Sequence, residues 1–285
     1  MRVRILQAVT SVRVGDGSSA SAINLPLSRE RHTRWPCFPG STIKGALRIR
    51  ASLHDGGDAP INAVFGGEPS AAEGDEESSA LGSLVVGGAT LLALPVRSLD
   101  STFALLTCPT ALARFGRVLG DTSALPQPGM DEAWVSDGGR IQAENGAKGQ
   151  AGLEEIGAAS RGVVVLEDLD LVGVASPTVA EWSNRIGRLI GKEAPLKLLT
   201  VVHDDVFAHA CTAWTEHRTR NAVGPDGVVE DKKLFIVESF PAETLWWSTL
   251  SGEDHGLLPI QGETFVLGGH QSVGLGRVAW YGGEA

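Results

Sequence analysis

A turn signal between two strand-like segments constrains the fold of this chain more than any other feature of its sequence. Residues 212–221 and 233–240 each predict a β-strand, and residues 224–227 (GPDG) lie between them. Glycine, proline and aspartate in such a connection are typical of a β-hairpin, whose strands run antiparallel. Helices are also predicted, because Pro109 and Ser176 each precede apolar residues at helical spacing. These elements together predict an α+β fold with a mostly antiparallel sheet.

Length and composition allow a sizeable core and leave the number of domains open. With 285 residues, of which 42% are hydrophobic and 20% charged, the chain suits one large domain or two small ones and is too apolar for disorder. Residues 54–80 contain seven acidic residues and no Lys or Arg, which predicts a solvated, poorly ordered insertion. Residues 121–160, rich in glycine, proline and acidic residues, predict a second loop-rich insertion.

The sequence predicts a protein of a reducing compartment without a membrane anchor. No stretch approaches the roughly 18 apolar residues of a membrane helix, and residues 1–14 lack the continuous apolar segment of a signal peptide. The cysteines Cys37, Cys108 and Cys211 are dispersed and odd in number, which favours buried free thiols. We therefore expect a cytoplasmic protein that has no membrane partner.

Charge is distributed unevenly along the chain. The formal net charge is −10, yet residues 1–50 hold nine Lys and Arg side chains against two acidic ones. This segment therefore carries +7, and the remaining 235 residues carry −17. Such asymmetry is typical of a protein that presents one basic surface to a polyanion. An ordinary mixed surface, whose basic residues cluster only in sequence, is equally compatible with these numbers.

Two basic segments within residues 1–50 are candidates for anion binding. Arg29 and Arg31 lie in a predicted loop, where guanidinium groups can form paired hydrogen bonds to phosphate oxygens. Solvated arginines, or an internal pair with Glu30, are the simpler alternative. Ser41 is a predicted N-cap, and the free N–H groups of that helix start, together with Lys44, favour an anion. A plain helix cap explains Ser41 equally well, and the spacing of a P-loop is absent.

Two further segments have features of contact surfaces. Residues 268–277 contain four glycines, which let a backbone approach a phosphate or another chain closely, although a tight turn between strands is the simpler alternative. The predicted hairpin would extend beyond any core, so its end is a candidate for contact with a partner. His203 and His209 lie near two aspartates, but their spacing does not place two ligands on one helical face, so no metal site is predicted.

Seven segments, taken in order along the chain, carry a family resemblance. They are NLPLSRERHT at 24–33, FPGSTIKGALR at 38–48, LLALPVRS at 91–98, DDVF at 204–207, TEHRTR at 215–220, ESFPAET at 238–244 and the glycine-rich loop at 268–277. With these segments the sequence resembles the RAMP superfamily and, within it, the backbone subunits of type III-B CRISPR Cmr complexes. The resemblance runs from one end of the chain to the other.

The resemblance implies a fold, partners and a set of RNA contacts. It implies a single RAMP domain over residues 1–285, with a ferredoxin-like, RNA-recognition-type core and a protruding β-hairpin thumb at residues 212–240. It also implies a CRISPR antiviral ribonucleoprotein in which copies of this chain form a filament along a guide RNA, together with other Cmr subunits, and hold the complementary target RNA. Because guides differ in sequence, their backbone must be gripped. The implied RNA contacts are Arg29, Arg31, His32, Ser41, Lys44, Arg48, Arg218, Gly269, Gly274, Gly276 and Arg277.

The resemblance also implies a catalytic position, at which this sequence departs from the family. Active members carry an aspartate for divalent-metal-dependent cleavage of target RNA directly before the Leu-Pro-Leu-x-Arg-Glu stretch, and Asn24 stands there in this chain. An amide is no general base and is a weaker ligand for hard metal ions, so we expect a cleavage-silent subunit, by design or by descent, without a cofactor. The alternative is an active endoribonuclease that uses Mg²⁺ or Mn²⁺, with Asp16 substituting. A guide-processing endonuclease with His32 as general base is disfavoured by the same stretch.

Overall fold

Strands and helices alternate along the part of the chain that the computed structural model describes, namely residues 1–15, 26–55, 58–67, 81–136, 141, 154–156, 159–191, 196–223 and 229–282. The strands are β1 (Arg2–Ala8), β2 (Cys37–Phe38), β3 (Val85–Val86), β4 (Ala89–Arg97), β5 (Phe103–Thr107), β6 (Glu132–Val135), β7 (Glu154–Ile156), β8 (Ala159–Leu166), β9 (Leu169–Ala175), β10 (Leu199–Val202), β11 (Glu216–Val223), β12 (Val229–Ser239), β13 (Leu245–Ser251), β14 (Thr264–Val266) and β15 (Arg277–Tyr281). The helices are α1 (Gly40–Asp55), α2 (Asp58–Phe65), α3 (Pro109–Leu119), α4 (Pro177–Leu189) and α5 (Asp204–Ala213), and a short 3₁₀ helix spans Gln271–Val273.

One sheet contains all of the described strands except β11 and β12. Its order is β14-β15-β1-β13-β4-β5-β10-β6-β9-β8-β7, with β2 paired to β4 and β3 paired to β13. Neighbouring strands are antiparallel except for β5 with β10 and β6 with β9, which are parallel. The prediction of mixed helices and strands with a mostly antiparallel sheet is therefore confirmed.

Strand β4 lies in the middle of the sheet and joins its two halves. Its first residues pair with β13 and its last residues pair with β5. The strand is almost continuously apolar and buried, as expected when both faces of a strand are covered. Leu91 and Leu94 enter one hydrophobic cluster, and Leu92 enters a second one. Burial of each leucine side chain stabilises the fold by about 1.5–3 kcal/mol.

Helix α1 buries one face in the first cluster and leaves the other exposed. Ile43, Leu47 and Ala51 recur at four-residue spacing and are fully buried. The helix begins at Gly40, one residue before the predicted cap, so Ser41 lies within its first turn. The exposed face of α1 carries Ser41 and, two turns later, Ile49, which is 61% exposed.

Helices α3 and α4 begin where local sequence signals predict. Pro109 is the first residue of α3, and the helix ends at Gly120 in the left-handed conformation. Ser176 caps α4 by accepting a hydrogen bond from the Val179 N–H at 3.5 Å. Both helices pack in the second cluster through their apolar faces, which include Phe115 of α3 and Trp182 of α4.

A hairpin of β11 and β12 forms a two-stranded sheet separate from the main one. Its register runs from Glu216 opposite Ser239, and an antiparallel bridge between Val12 and Phe240 joins its base to the segment after β1. The sequence predicts the hairpin over residues 212–240, but the first of these residues belong to α5. Thr212 lies in that helix, and its hydroxyl donates to the His209 carbonyl oxygen at 2.8 Å.

Both predicted insertions contain regular structure, which corrects their interpretation as loops. Residues 54–80 include the end of α1 and the whole of α2, whose Ile61 and Val64 are buried. Residues 121–160 include β6, which lies between β10 and β9 and buries Ala133 and Val135. Glycine-rich and acidic neighbours obscure these short apolar patterns. Residues 68–80, 137–140 and 142–153 lie outside the described residues.

The cysteines agree with the expectation of free thiols. Cys37, Cys108 and Cys211 are all free, and the last two are buried. Burial raises the pKa of Cys108 and of Cys211 well above the usual thiol range. Among the described residues, no helix is both long and apolar enough to span a bilayer.

Candidate nucleic-acid interface

The two candidate catalytic residues, Asp16 and Asn24, lie outside the described residues. Gly15 and Leu27, which are described residues on either side of these candidates, are joined by an antiparallel bridge. The described chain before the candidates therefore lies next to the described chain after them.

A buried carboxylate fixes the chain after this segment to the hairpin. Glu238 near the end of β12 is 1% exposed and accepts hydrogen bonds from Leu27 N at 2.9 Å and Thr215 Oγ1 at 2.8 Å. It also pairs with the guanidinium of Arg29, which in turn donates to the Cys211 carbonyl oxygen at 2.8 Å. The sequence predicts an RNA contact for Arg29, whereas protein groups engage its guanidinium in this structure. The contacts support a role for Arg29 in positioning this loop.

The next loop is held by a second ion pair, which is partly buried. The Glu30 carboxylate accepts two hydrogen bonds from Arg114 on α3, at 2.9 and 2.6 Å, and one from Thr33 at 2.6 Å. The Arg114 guanidinium also lies over the ring of Trp35, which packs edge-on against Phe207. Burial alone would raise the pKa of Glu30, but the hydrogen bonds from Arg114 and Thr33 outweigh it and hold the pKa below its usual value.

This ion pair supports a loop tip whose side chains are basic and exposed. Arg31, His32 and Arg34 are all exposed, and Arg34 has a left-handed backbone with φ of 61°. The ring of His32 is 72% exposed and lies 3.8 Å from the Glu30 carboxylate. We call Arg31, His32 and Arg34 the cationic tip. Two of its members, Arg31 and His32, belong to the predicted RNA contacts, and they lie where a polyanion can reach them.

The predicted contacts on α1 have different surroundings. Ser41 is exposed and Lys44 is half-buried. Arg48 points to α2, where it donates to the Gly66 carbonyl oxygen and, at 2.7 Å, to Asn62 Oδ1. These bonds join α1 to α2 and to the residues that follow it, and they give Arg48 a structural role.

A cleft of about 540 Å³ separates the exposed face of α1 from β14 and the glycine-rich loop. Ser41, Ile49 and Leu53 line it from the helix, and Gln271 and Arg277 line it from the opposite side. The fold therefore brings together two predicted contacts, Ser41 and Arg277, that are far apart in sequence. The Arg277 side chain is exposed and donates to Thr264 Oγ1 at 3.1 Å.

The glycines of the loop at 268–277 serve mainly to pack it against the chain's own backbone. A Cβ atom on Gly268 would lie 2.2 Å from the Arg13 carbonyl oxygen, and one on Gly276 would lie 2.4 Å from the Leu267 carbonyl oxygen. Gly274 has φ of 85° but open space around it. Tight packing rather than ligand approach therefore accounts for two of these glycines.

The basic face of β11 lies beside the same loop. Arg218 is exposed, pairs with Glu216 and donates to Ser11 Oγ at 3.1 Å. Arg220, two residues along the strand and so on the same face, acts electrostatically on His270 of the glycine-rich loop. Sequence reasoning assigns no role to Arg220 or His270, and only the run of alternating arginines in β11 signals such a face.

The described residues offer no ready-made metal centre. No group of three or more His, Cys, Asp or Glu side chains in the described ranges is arranged to hold a metal ion. His203 is the N-cap of α5 through Asp205 N, at 3.2 Å. The described groups therefore do not indicate where the divalent ion that the resemblance implies for cleavage would bind.

Comparisons with known proteins identify the family to which this chain belongs. The model of the RAMP superfamily matches residues 5–279, so the chain belongs to the RAMP superfamily. A curated relative is the CRISPR system Cmr endoribonuclease Cmr4 of Pyrococcus furiosus, 28% identical over 96% of this chain and 92% of the relative.

Solved structures agree with this assignment at the level of the fold. Oligomeric Cmr4 from Pyrococcus furiosus has a TM-score of 0.67 at 22% identity, over 99% of this chain and 98% of that one. A chain of the type III-B Cmr-beta complex bound to cognate target RNA has a TM-score of 0.69 at 18% identity, over 98% and 96% of the two chains.

Proposed function

We propose that this chain is a guide-RNA-binding backbone subunit of a type III-B Cmr ribonucleoprotein, the role of the fourth Cmr subunit. Similarity to Cmr4 along almost the whole chain supports the proposal, as does the likeness in fold to a Cmr-beta chain. The structural observation that carries it is the cationic tip. Its position is fixed by the Glu30–Arg114 pair, so the loop is ordered before any RNA arrives.

The ferredoxin-like core is proposed for one half of the sheet. The strands β15, β1, β13 and β4 are neighbours in that order, and α1 connects β1 with β4. Along the chain these four strands come as β1, β4, β13 and β15. The four strands of a ferredoxin-type split βαβ motif, taken in chain order, have the same spatial arrangement. In place of its second helix, this chain has β14 and the glycine-rich loop. The β11–β12 hairpin, separate from the sheet, is proposed to be the thumb.

The proposed partners follow from the same role. Copies of the chain would stack along the guide RNA in the cytoplasm, next to other Cmr subunits, and would hold the complementary target RNA in defence against invading nucleic acid. Cmr4 of P. furiosus has been solved as an oligomer, which supports self-association.

We further propose that the subunit is cleavage-silent. The proposal depends on Asn24, because an amide neither abstracts a proton nor binds Mg²⁺ as a carboxylate does. Holding RNA needs no metal ion, so a divalent cofactor is required only if Asn24 is replaced.

RNA binding is tested by salt dependence. The chain is titrated into a labelled guide RNA with EDTA at several salt concentrations, for the wild type and for an Arg31→Gln/Arg34→Gln variant. We expect the variant to bind more weakly, with a log–log salt slope smaller by about 0.7 for each lost phosphate contact. Arg117→Gln, which removes an exposed arginine on α3, is the matched control and should match the wild type. Equal affinity and slope in all three proteins would refute the role of the cationic tip.

Cleavage is tested in the assembled complex with guide RNA, end-labelled target RNA and Mg²⁺. We expect regularly spaced products from Asn24→Asp and none from the wild type. Equal cutting by both would show that the wild type is not cleavage-silent, and loss of that cutting in Asp16→Ala would then identify Asp16 as the catalytic carboxylate.

A further inference from the structure

A histidine in an unusual backbone conformation lies in the glycine-rich loop. His270 has φ of 61°, in the left-handed region that residues other than glycine rarely adopt. The ring is half-buried, and its Nδ1 atom is buried without a hydrogen-bond partner. Buried polar atoms are normally satisfied, so this nitrogen has an unused capacity to bind a proton.

Basic groups from two other elements approach this histidine. The Arg13 carbonyl oxygen accepts a hydrogen bond from Gly269 N at 2.8 Å, which fastens the loop to the segment after β1. One Arg13 guanidinium nitrogen lies 3.5 Å from where a Cβ atom of Gly269 would be. From β11, Arg220 acts on His270, and Arg218 with its partner Glu216 lies on the same face of the strand.

These surroundings disfavour the charged form of the imidazole. Burial, followed by the positive charges of Arg13 and Arg220, lowers the pKa of His270 below its ordinary value. An anion placed among the three groups would act in the opposite direction and favour the imidazolium. Binding of the anion and binding of a proton would then reinforce each other.

We propose that His270, Arg13 and Arg220 form a binding site for one phosphodiester of the RNA backbone, and that His270 takes up a proton when the phosphate binds. The inference rests on the proposed function and adds the residues and the proton. A phosphodiester fits because it offers two anionic oxygens to guanidinium and imidazolium donors. The diester itself does not titrate near neutral pH, so the proton is bound by the histidine.

The direction of the pH effect follows from linkage. RNA affinity should be constant well above the pKa that His270 has in the complex, and should rise as the pH falls through that value. It should level off below the lower pKa of the free protein. If the phosphate raises the pKa by about one unit, the affinity gain is about tenfold.

The test measures guide-RNA affinity between pH 5.5 and 8 at constant ionic strength. The wild type should bind up to about tenfold more tightly at the acidic end. His270→Asn keeps a residue that tolerates the left-handed backbone but cannot titrate, and it should lose most of this dependence. His255→Asn is the matched control, because His255 is also left-handed, with φ of 49°, and is exposed elsewhere. Its pH profile should follow the wild type.

Each outcome separates this inference from the proposed function. RNA binding with a flat pH profile, or with the same profile in His270→Asn, overturns the site alone, whereas no RNA binding at any pH overturns both. A ¹H NMR titration of the His270 ring identifies the ligand source. An upward pKa shift with RNA but not with 1 mM inorganic phosphate supports the backbone site, and an equal shift with inorganic phosphate refutes RNA as its ligand.

Discussion

Replacement of the buried carboxylate of Glu238 should separate the hairpin from the loop that follows the candidate catalytic segment. In Glu238→Gln the amide keeps the shape of the side chain, but the charge that faces Arg29 is gone. Because the Arg29 side chain is only 13% exposed, its guanidinium is left without a counter-charge in a poorly solvated place. The hydrogen bonds from Leu27 N and Thr215 must also rearrange.

The size of this effect follows from the burial of the pair. Breaking a buried ion pair by removal of one partner costs about 3–5 kcal/mol of unfolding free energy. The exposed pair of Arg218 and Glu216, at the base of the same hairpin, is the control, with side chains 49% and 29% exposed. Glu216→Gln should cost at most about 1 kcal/mol.

Urea denaturation followed by tryptophan fluorescence gives the unfolding free energies. A double-mutant cycle with Arg29→Met isolates the pair, and we expect a coupling energy of about 1–3 kcal/mol. Hydrogen exchange should show faster exchange of β11 and β12 amides in Glu238→Gln than in Glu216→Gln. A cost for Glu238→Gln as small as that of Glu216→Gln, together with zero coupling, would refute the reasoning.

Two further predictions concern the loops. Gly268 and Gly274 have nearly equal φ angles of 89° and 85°, but only Gly268 lacks room for a Cβ atom. Gly274→Ala should therefore cost about 1–2 kcal/mol and Gly268→Ala clearly more in urea denaturation, whereas equal costs would contradict the close packing against Arg13. The pKa of Glu30 is held below its usual value, so the stabilisation from its pair with Arg114 is present at neutral pH and is lost as the pH falls through the lowered pKa. Glu30→Gln should unfold with a shallower acid dependence than the wild type, and an unchanged acid profile would exclude this pair as a source of it.

The sequence correctly predicts the helices whose first residues are determined by a proline or a capping side chain at the helix start. The starts of α3 and α4 depend on Pro109 and on the Ser176 cap, and both are visible within a few residues. Helix α2 and strand β6 escape prediction, because their apolar residues are few and their neighbours are rich in glycine and acids. The burial of β6 depends on β9 and β10, which are distant in sequence, and α2 packs against the helix that precedes it, so no apolar pattern within either segment reports its burial.

The same difference between nearby and distant partners explains which basic residues the sequence correctly predicts to be accessible to RNA. The charge of residues 1–50 suggests one basic surface, but several of its arginines are bonded to groups far along the chain. Arg2 pairs with Asp254, Arg29 with Glu238 and Arg50 with Glu263. A count of charges within a segment cannot detect partners that are more than 200 residues away. The exposed cationic tip is one part of this segment to which the expectation of a basic surface still applies.

In the proposed role the paired arginines would nevertheless contribute to RNA binding, by ordering loops rather than by contacting RNA. A guide RNA can be gripped without regard to sequence only through its backbone, whose regular phosphates require donors at fixed positions. Loops that had to become ordered on binding would lose conformational entropy at each contact. Glu30 with Arg114, and Glu238 with Arg29, remove this cost in advance, because each acidic residue holds one end of a basic loop in the free protein. The acidic residues that give the chain its negative net charge would in this way favour the binding of a polyanion.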